Sequence, residues 1–129
     1  MTDADAHVAV IRALHAAWAR GEFGMELFHP DVVWSTPHPG ADVRGREELL
    51  AFLKSFMGAW AEYSNKLEEI RALPDGRLLV LFNEVGRGRA SGAETRLNPG
   101  AIVEIRDGLI TRYEGMERPD ALRAAGIEG

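Results

Sequence analysis

A chain of 129 residues, 46% of them apolar, is long enough for one folded unit with a substantial core and too hydrophobic for disorder. A formal net charge of −5 argues against a sequence-independent hold on nucleic acid, and the absence of cysteine excludes disulfides and thiolate metal sites. The acidic start MTDADAHVAV lacks the apolar run of a signal peptide, and no window approaches the roughly 18 uninterrupted apolar residues of a membrane span, so a cytoplasmic single domain, 1–129, without membrane association is expected.

The spacing predicts a helix over residues 3–20. Val8, Ile11, Leu14 or His15, and Trp18 recur at three and four, Thr2 can cap the first turn and Gly21 stops it. A short second helix is expected over Phe23–Phe28, ended by His29-Pro30. DVVWS, Asp31–Ser35, reads as a strand, and the two prolines of TPHPG exclude regular structure after it. A further helix runs from Arg46 to about Tyr63. Its Leu49, Leu50, Phe52, Leu53, Phe56, Met57 and Trp60 form a wide apolar face, which predicts burial on more than one side.

The period then becomes two. Strands are expected at Ser64–Leu73, Arg77–Arg89, Glu94–Arg106 and Leu109–Glu117, with turns at Pro74-Asp75-Gly76, Ser91-Gly92 and Asp107-Gly108. Pro119 opens a last helical turn through Ala125, closed by Gly126. The order predicts an α+β fold, a curved, mostly antiparallel sheet forming a cone with the helices on its concave side. Such a cone has an interior that a small molecule can enter.

The stretch VLFNEVGRGRASG, residues 80–92, passes from an apolar run to three glycines and two arginines. A phosphate loop requires Lys and then Ser or Thr directly after the glycines, followed by a helix, and here another strand follows. Gly86 and Gly88 instead fit a bend or bulge in a long strand, with Arg87 and Arg89 at its solvated end. By alternation Glu84 shares a face with Val80 and Phe82. A carboxylate among apolar neighbours has a raised pKa, as a general base or acid needs; alternatively Glu84 pairs across strands with Arg96.

These motifs, together with HAAWARGEFGMELFHPDVVWSTP, GREELLAFLKSFMGAW, EIRDGLITR and ALRAAGI, resemble SnoaL-like polyketide cyclase domains of the nuclear transport factor-like superfamily, which includes ketosteroid isomerases and limonene epoxide hydrolases. The resemblance implies the cone fold, but the scaffold serves many functions. The ketosteroid isomerase base falls at Thr36 and its oxyanion tyrosine at Leu14. The epoxide hydrolase arginine and aspartates fall at Glu84, Gly86 and Gly115, its water-holding residues at Trp34 and Thr36. The acid that polyketide cyclases carry on the last strand also falls at Gly115, with Glu114 and Glu117 nearby.

The register around Asp107-Gly108 decides what the last strand presents inward. A three-residue loop with a glycine bulge turns Tyr113, Gly115 and Glu117 in with Ala101 and Val103; a two-residue turn presents Arg112 and Glu114. The first arrangement fits the resemblance. The candidate catalytic residues are then Glu84 as base, with His38 or Tyr113 as acid or hydrogen-bond donor. Trp18, Trp34, Phe56, Met57, Trp60, Phe82 and Val103 are expected to contact the ligand. That ligand is a small hydrophobic carbonyl compound, turned over without cofactor or metal by an isomerase, cyclase or dehydratase. The alternative is a non-catalytic binding or dimeric accessory module. Ile102, Ile110 and Met116 are expected on an uncovered outer sheet face, which predicts a homodimer.

Overall fold

The structure is a computed structural model and describes residues 3–36 and 42–127. Helix α1 (Asp3–Ala19) opens with Asp3 and Asp5, whose charges suit the positive end of the helix dipole. It buries Ile11, Leu14, His15 and Ala17 along one stripe, and Gly21 (φ 80°) takes the left-handed conformation just beyond its end. The expected second helix is a single 3-10 turn, Met25–Leu27. Strand β1 (Phe28–Ser35) already starts at Phe28 and carries His29-Pro30 within it. Pro30 is tolerated because the pairing of β1 with its parallel neighbour is irregular between Phe28 and Val33.

After β2 (Val43–Arg44), helix α2 spans Arg46–Gly58, shorter than expected, because Trp60 to Tyr63 belong to β3 (Trp60–Ala72). Only Leu49 and Leu53 of α2 are fully buried, and Met57 is 39% exposed. The wide apolar face is therefore buried along one stripe, not on several sides; its remaining aromatics reach the rim of the sheet. Strands β4 (Leu78–Gly88), β5 (Glu94–Leu97), β6 (Gly100–Arg106) and β7 (Leu109–Met116) follow, then α3 (Arg118–Ala124). The strand expected over Glu94–Arg106 is split by Asn98-Pro99, where proline cannot donate to the ladder.

The sheet order is β2-β1-β7-β6-β4-β3, with β5 paired to the far half of β4; β1 and β7 are parallel and the other pairs antiparallel. Both faces of β4 are buried. Leu78, Val80 and Phe82 pack with Ile11, Leu14, Leu49 and Leu53 from α1 and α2, whereas Leu79 and Leu81 pack with Ile102 and Ala121 of α3. The helices thus do not all gather on the concave side: α3 covers the opposite one. The outer patch expected to seat a second copy is accordingly absent. Ile102 lies beneath α3, Met116 packs against the same cluster, and Ile110 belongs to the α1–α2 core at 0% exposure.

The last hairpin combines both registers considered for it. Asp107 (φ 52°) and Gly108 (φ 78°) form a two-residue turn of the I′ kind, with Arg106 opposite Leu109. Thr111 is then an extra residue in β7, since Ile105 faces Ile110 and Glu104 faces Arg112. Its hydroxyl donates to the Glu104 carbonyl at 3.2 Å. The bulge reverses the alternation, so Tyr113 faces Val103, Gly115 faces Ala101, and Arg112 and Glu114 pair with each other at 2.7 Å. Glu117 is exposed and caps α3.

Candidate functional site

Strands β3 and β4 bring three polar side chains together. Asn65 stands opposite Glu84, and Tyr63 opposite Gly86, so all project to the face that α1 and α2 cover. The Tyr63 hydroxyl donates to Glu84 Oε2, and Asn65 Nδ2 donates to the Tyr63 oxygen at 3.3 Å. Burial pushes the Glu84 carboxyl above its ordinary pKa, partly offset by the Tyr63 bond. Burial first, and the Glu84 charge second, push Tyr63 and the deeply buried Tyr113 above the tyrosine range. Both phenols therefore stay protonated and remain donors. Arg96, the alternative partner for Glu84, stands opposite Val85 on the other face and pairs with Glu94 at 3.3 Å.

The glycines after Glu84 serve packing. A Cβ on Gly86 would lie 2.5 Å from the Trp60 ring, so the indole rests directly on the β4 backbone. Arg89 donates to the carbonyls of Gly58 at 3.2 Å and Trp60 at 3.1 Å, tying the end of α2 to β4. Arg87 lies 3.8 Å from Glu62. Neither arginine stands ready for a phosphate.

Around the polar group runs a continuous series of aromatic contacts. Trp34 stacks on Tyr113 with centroids 4.0 Å apart and planes 4° apart, and touches Trp18, Phe28 and Phe52 at 6.1–6.4 Å. Phe52 leads to Phe56, which meets Trp60 at 6.0 Å and Tyr63 at 5.4 Å. Trp34, Phe82, Tyr113 and Val103 are buried in the core beneath α1 and α2. Trp18, Phe56, Trp60, Tyr63, Asn65 and Glu84 are half-buried, and Met57 is exposed at the rim.

His15, on α1, contacts the same surroundings. It is 6% exposed, with its ring 4.9 Å from Trp18 and 5.8 Å from Phe82, and neither ring nitrogen has a hydrogen-bond partner. Burial lowers its pKa to about 4, so the imidazole is neutral near pH 7. The Oδ1 of Asn65, Nε1 of Trp60 and Oγ1 of Thr36 are also buried without partners.

The structure thus brings Glu84 and Tyr113 into one region with most of the aromatics expected there; His38 lies outside the described residues. Tyr63 and Asn65 were not singled out by sequence reasoning, which placed His15 on the helix stripe without a role in the site. Tyr63 was hidden by its assignment to α2; the alternation of Tyr63, Asn65 and Leu67 across from Gly86, Glu84 and Phe82 is the signal that identifies it. At the positions where the resemblance led acid–base groups to be expected, Leu14 is core and Thr36 has only its hydroxyl. Gly115 leaves room, since an added Cβ there would meet only the Ser35 oxygen at 3.5 Å and Tyr113 Cε1 at 4.0 Å. Among the described residues no group of His, Asp and Glu could hold a metal ion, and no helix is long and apolar enough to cross a membrane. A separate solvent-open groove of about 520 Å³ lies between Pro30 and the first turn of α2, flanked by Arg44, Arg46, Glu47 and Glu48.

Residues 11–113 match the SnoaL-like domain, most of the chain. The chain belongs to the SnoaL-like family. TerC, co-crystallised with polyporic acid, is similar with a TM-score of 0.76 at 20% identity, over 93% of this chain and 97% of that one. Bal32a, from a soil-derived mobile gene cassette, gives 0.80 at 20% identity over 88% and 90%. A hypothetical protein with a ketosteroid isomerase-like fold from Catenulispora acidiphila, in complex with trimethylamine, gives 0.74 at 16% identity over 92% and 93%. At these identities the likeness establishes the fold. No curated protein matches the sequence.

Proposed function

We propose that this SnoaL-like protein binds a small, mostly apolar carbonyl compound among Trp18, Phe56, Trp60 and the Tyr63–Glu84 pair, and moves a proton beside the carbonyl. The observation that carries this reading is the Tyr63–Glu84 hydrogen bond, set in a half-buried aromatic surround that raises the carboxyl pKa. Glu84 takes the proton from the carbon next to the carbonyl, the electron pair moves onto oxygen as an enolate, and a phenol donates to that oxygen. Tyr113 fits the donor role, because its phenol is close enough to feel the Glu84 charge and is held protonated. Tyr63 orients the carboxylate. No cofactor enters this chemistry. TerC and the Catenulispora protein, which share this fold, were crystallised with small organic molecules.

The test is deuterium exchange at the acidic carbon of β-tetralone in heavy water, followed by NMR. The protein should accelerate exchange, and Glu84→Gln should remove about a hundredfold or more of that acceleration. No acceleration, or acceleration that survives Glu84→Gln, contradicts the proton-transfer role. A second reading, a non-catalytic binder, draws on the side-chain-free Gly115 and the apolar Leu14 at positions where the family resemblance implies acid–base groups. It predicts quenching of tryptophan fluorescence by the ketone without exchange.

A further inference from the structure

His15 is the one buried polar residue of the α1 stripe, which otherwise presents Ile11, Leu14 and Ala17. Any apolar side chain would fill that stripe without stranding polar atoms, whereas the imidazole carries two nitrogens with no partner. Native interiors rarely leave such groups unsatisfied, and a ligand is one way to satisfy them. The ring lies against Phe82 and Trp18, two residues already in the aromatic surround of the site.

We propose that His15 is a second polar contact for the bound molecule, and that the site takes a compact apolar carbonyl compound bearing a hydroxyl at the end remote from the carbonyl. The inference rests on the carbonyl-binding reading and deepens it. Three observations set the ligand chemistry. His15 is neutral, its pKa drawn down by burial, so a carboxylate or phosphate would find no charge to pair with. In either tautomer a neutral imidazole has one donor and one acceptor, and a hydroxyl can meet either. His15 touches Phe82, while Glu84 lies two residues along the same face of β4, a repeat of about 7 Å. The two polar groups thus stand on either side of the same residue pair of β4, a spacing on the scale of a fused or substituted six-membered ring.

The experiment compares β-tetralone with its counterpart bearing a phenolic hydroxyl on the far edge of the aromatic ring, by isothermal titration calorimetry on wild-type protein, His15→Phe and His15→Gln. The hydroxylated ketone should bind wild type roughly tenfold more tightly, because only it engages the imidazole. His15→Phe should bring the affinities of the two ketones together, and His15→Gln, which retains a donor and an acceptor, should restore part of the preference. A packing defect would weaken both ketones alike. The imidazole ¹⁵N resonances of wild type should shift with the hydroxylated ketone only, which reports on His15 even where a variant fails to fold. Equal affinities in wild type, or a preference that survives His15→Phe, overturns the His15 assignment and leaves the carbonyl site standing. Failure of both ketones to bind overturns the carbonyl site and the assignment with it.

Discussion

The buried imidazole of His15 has a consequence for stability that does not depend on any ligand. In the unfolded chain this histidine titrates at the ordinary 6.5, and in the folded protein at about 4. Between those values the unfolded state takes up a proton that the folded state refuses, so stability falls as pH drops through 6.5 and levels off below about 4. The gap between the two values corresponds to about 3 kcal/mol, a large part of the roughly 5–15 kcal/mol that stabilises a domain. His15→Phe removes the titration and also the two stranded ring nitrogens. The variant should therefore match or exceed wild type near neutral pH and gain further on it as the solution is acidified. Urea melts at a series of pH values, with m-values compared, measure this directly. The contribution of Glu84 is common to both proteins and cancels in the difference. Parallel stability curves for wild type and His15→Phe would refute the reasoning.

Glu84 carries the opposite dependence: its folded pKa is raised, so the folded state holds a proton the unfolded state has lost, and stability falls as pH rises above the ordinary carboxylate range. Glu84→Gln should flatten that decline and be more stable than wild type at neutral pH, as urea melts would show. Tyr63→Phe deletes the bond that favours the ionised carboxylate, so ¹³C NMR of Glu84 should show its pKa rising further. Gly86→Ala forces a Cβ into the Trp60 indole and should cost about 1–3 kcal/mol in chemical denaturation, whereas Gly115→Ala meets only ordinary contacts and should be close to neutral. Ile102→Ala opens a cavity under α3 and should cost about 2–4 kcal/mol without changing ketone affinity, because that face is remote from Glu84.

The strands of the second half were legible because their turns carry strong local chemistry: Asp107-Gly108 adopts the positive φ values its residues favour. The inward placement of Tyr113 agreed with expectation for a different reason, since the alternation is reversed by a bulge at Thr111, and a bulge leaves no residue signature. The α2–β3 boundary was missed because Phe56, Met57 and Trp60 continue a helical spacing, while the irregular pairing between Trp60 and Glu62 interrupts the alternation that would reveal a strand. That one boundary concealed Tyr63, the partner of Glu84. The cover supplied by α3 was equally hidden, because a seven-residue helix has an apolar side but no local feature stating which sheet face it meets. Glu84 itself could be read, because its alternation with Val80 and Phe82 holds along β4.

If the ligand lies against the Tyr63–Glu84 pair and its aromatic surround, amide chemical-shift mapping with the hydroxylated β-tetralone will locate it there. Shifts should concentrate on residues 63–65, 82–84 and 113 and on the first helix around His15. Shifts centred instead on the groove at Pro30, Arg44 and Arg46–Glu48, or no shifts at all, would contradict that placement.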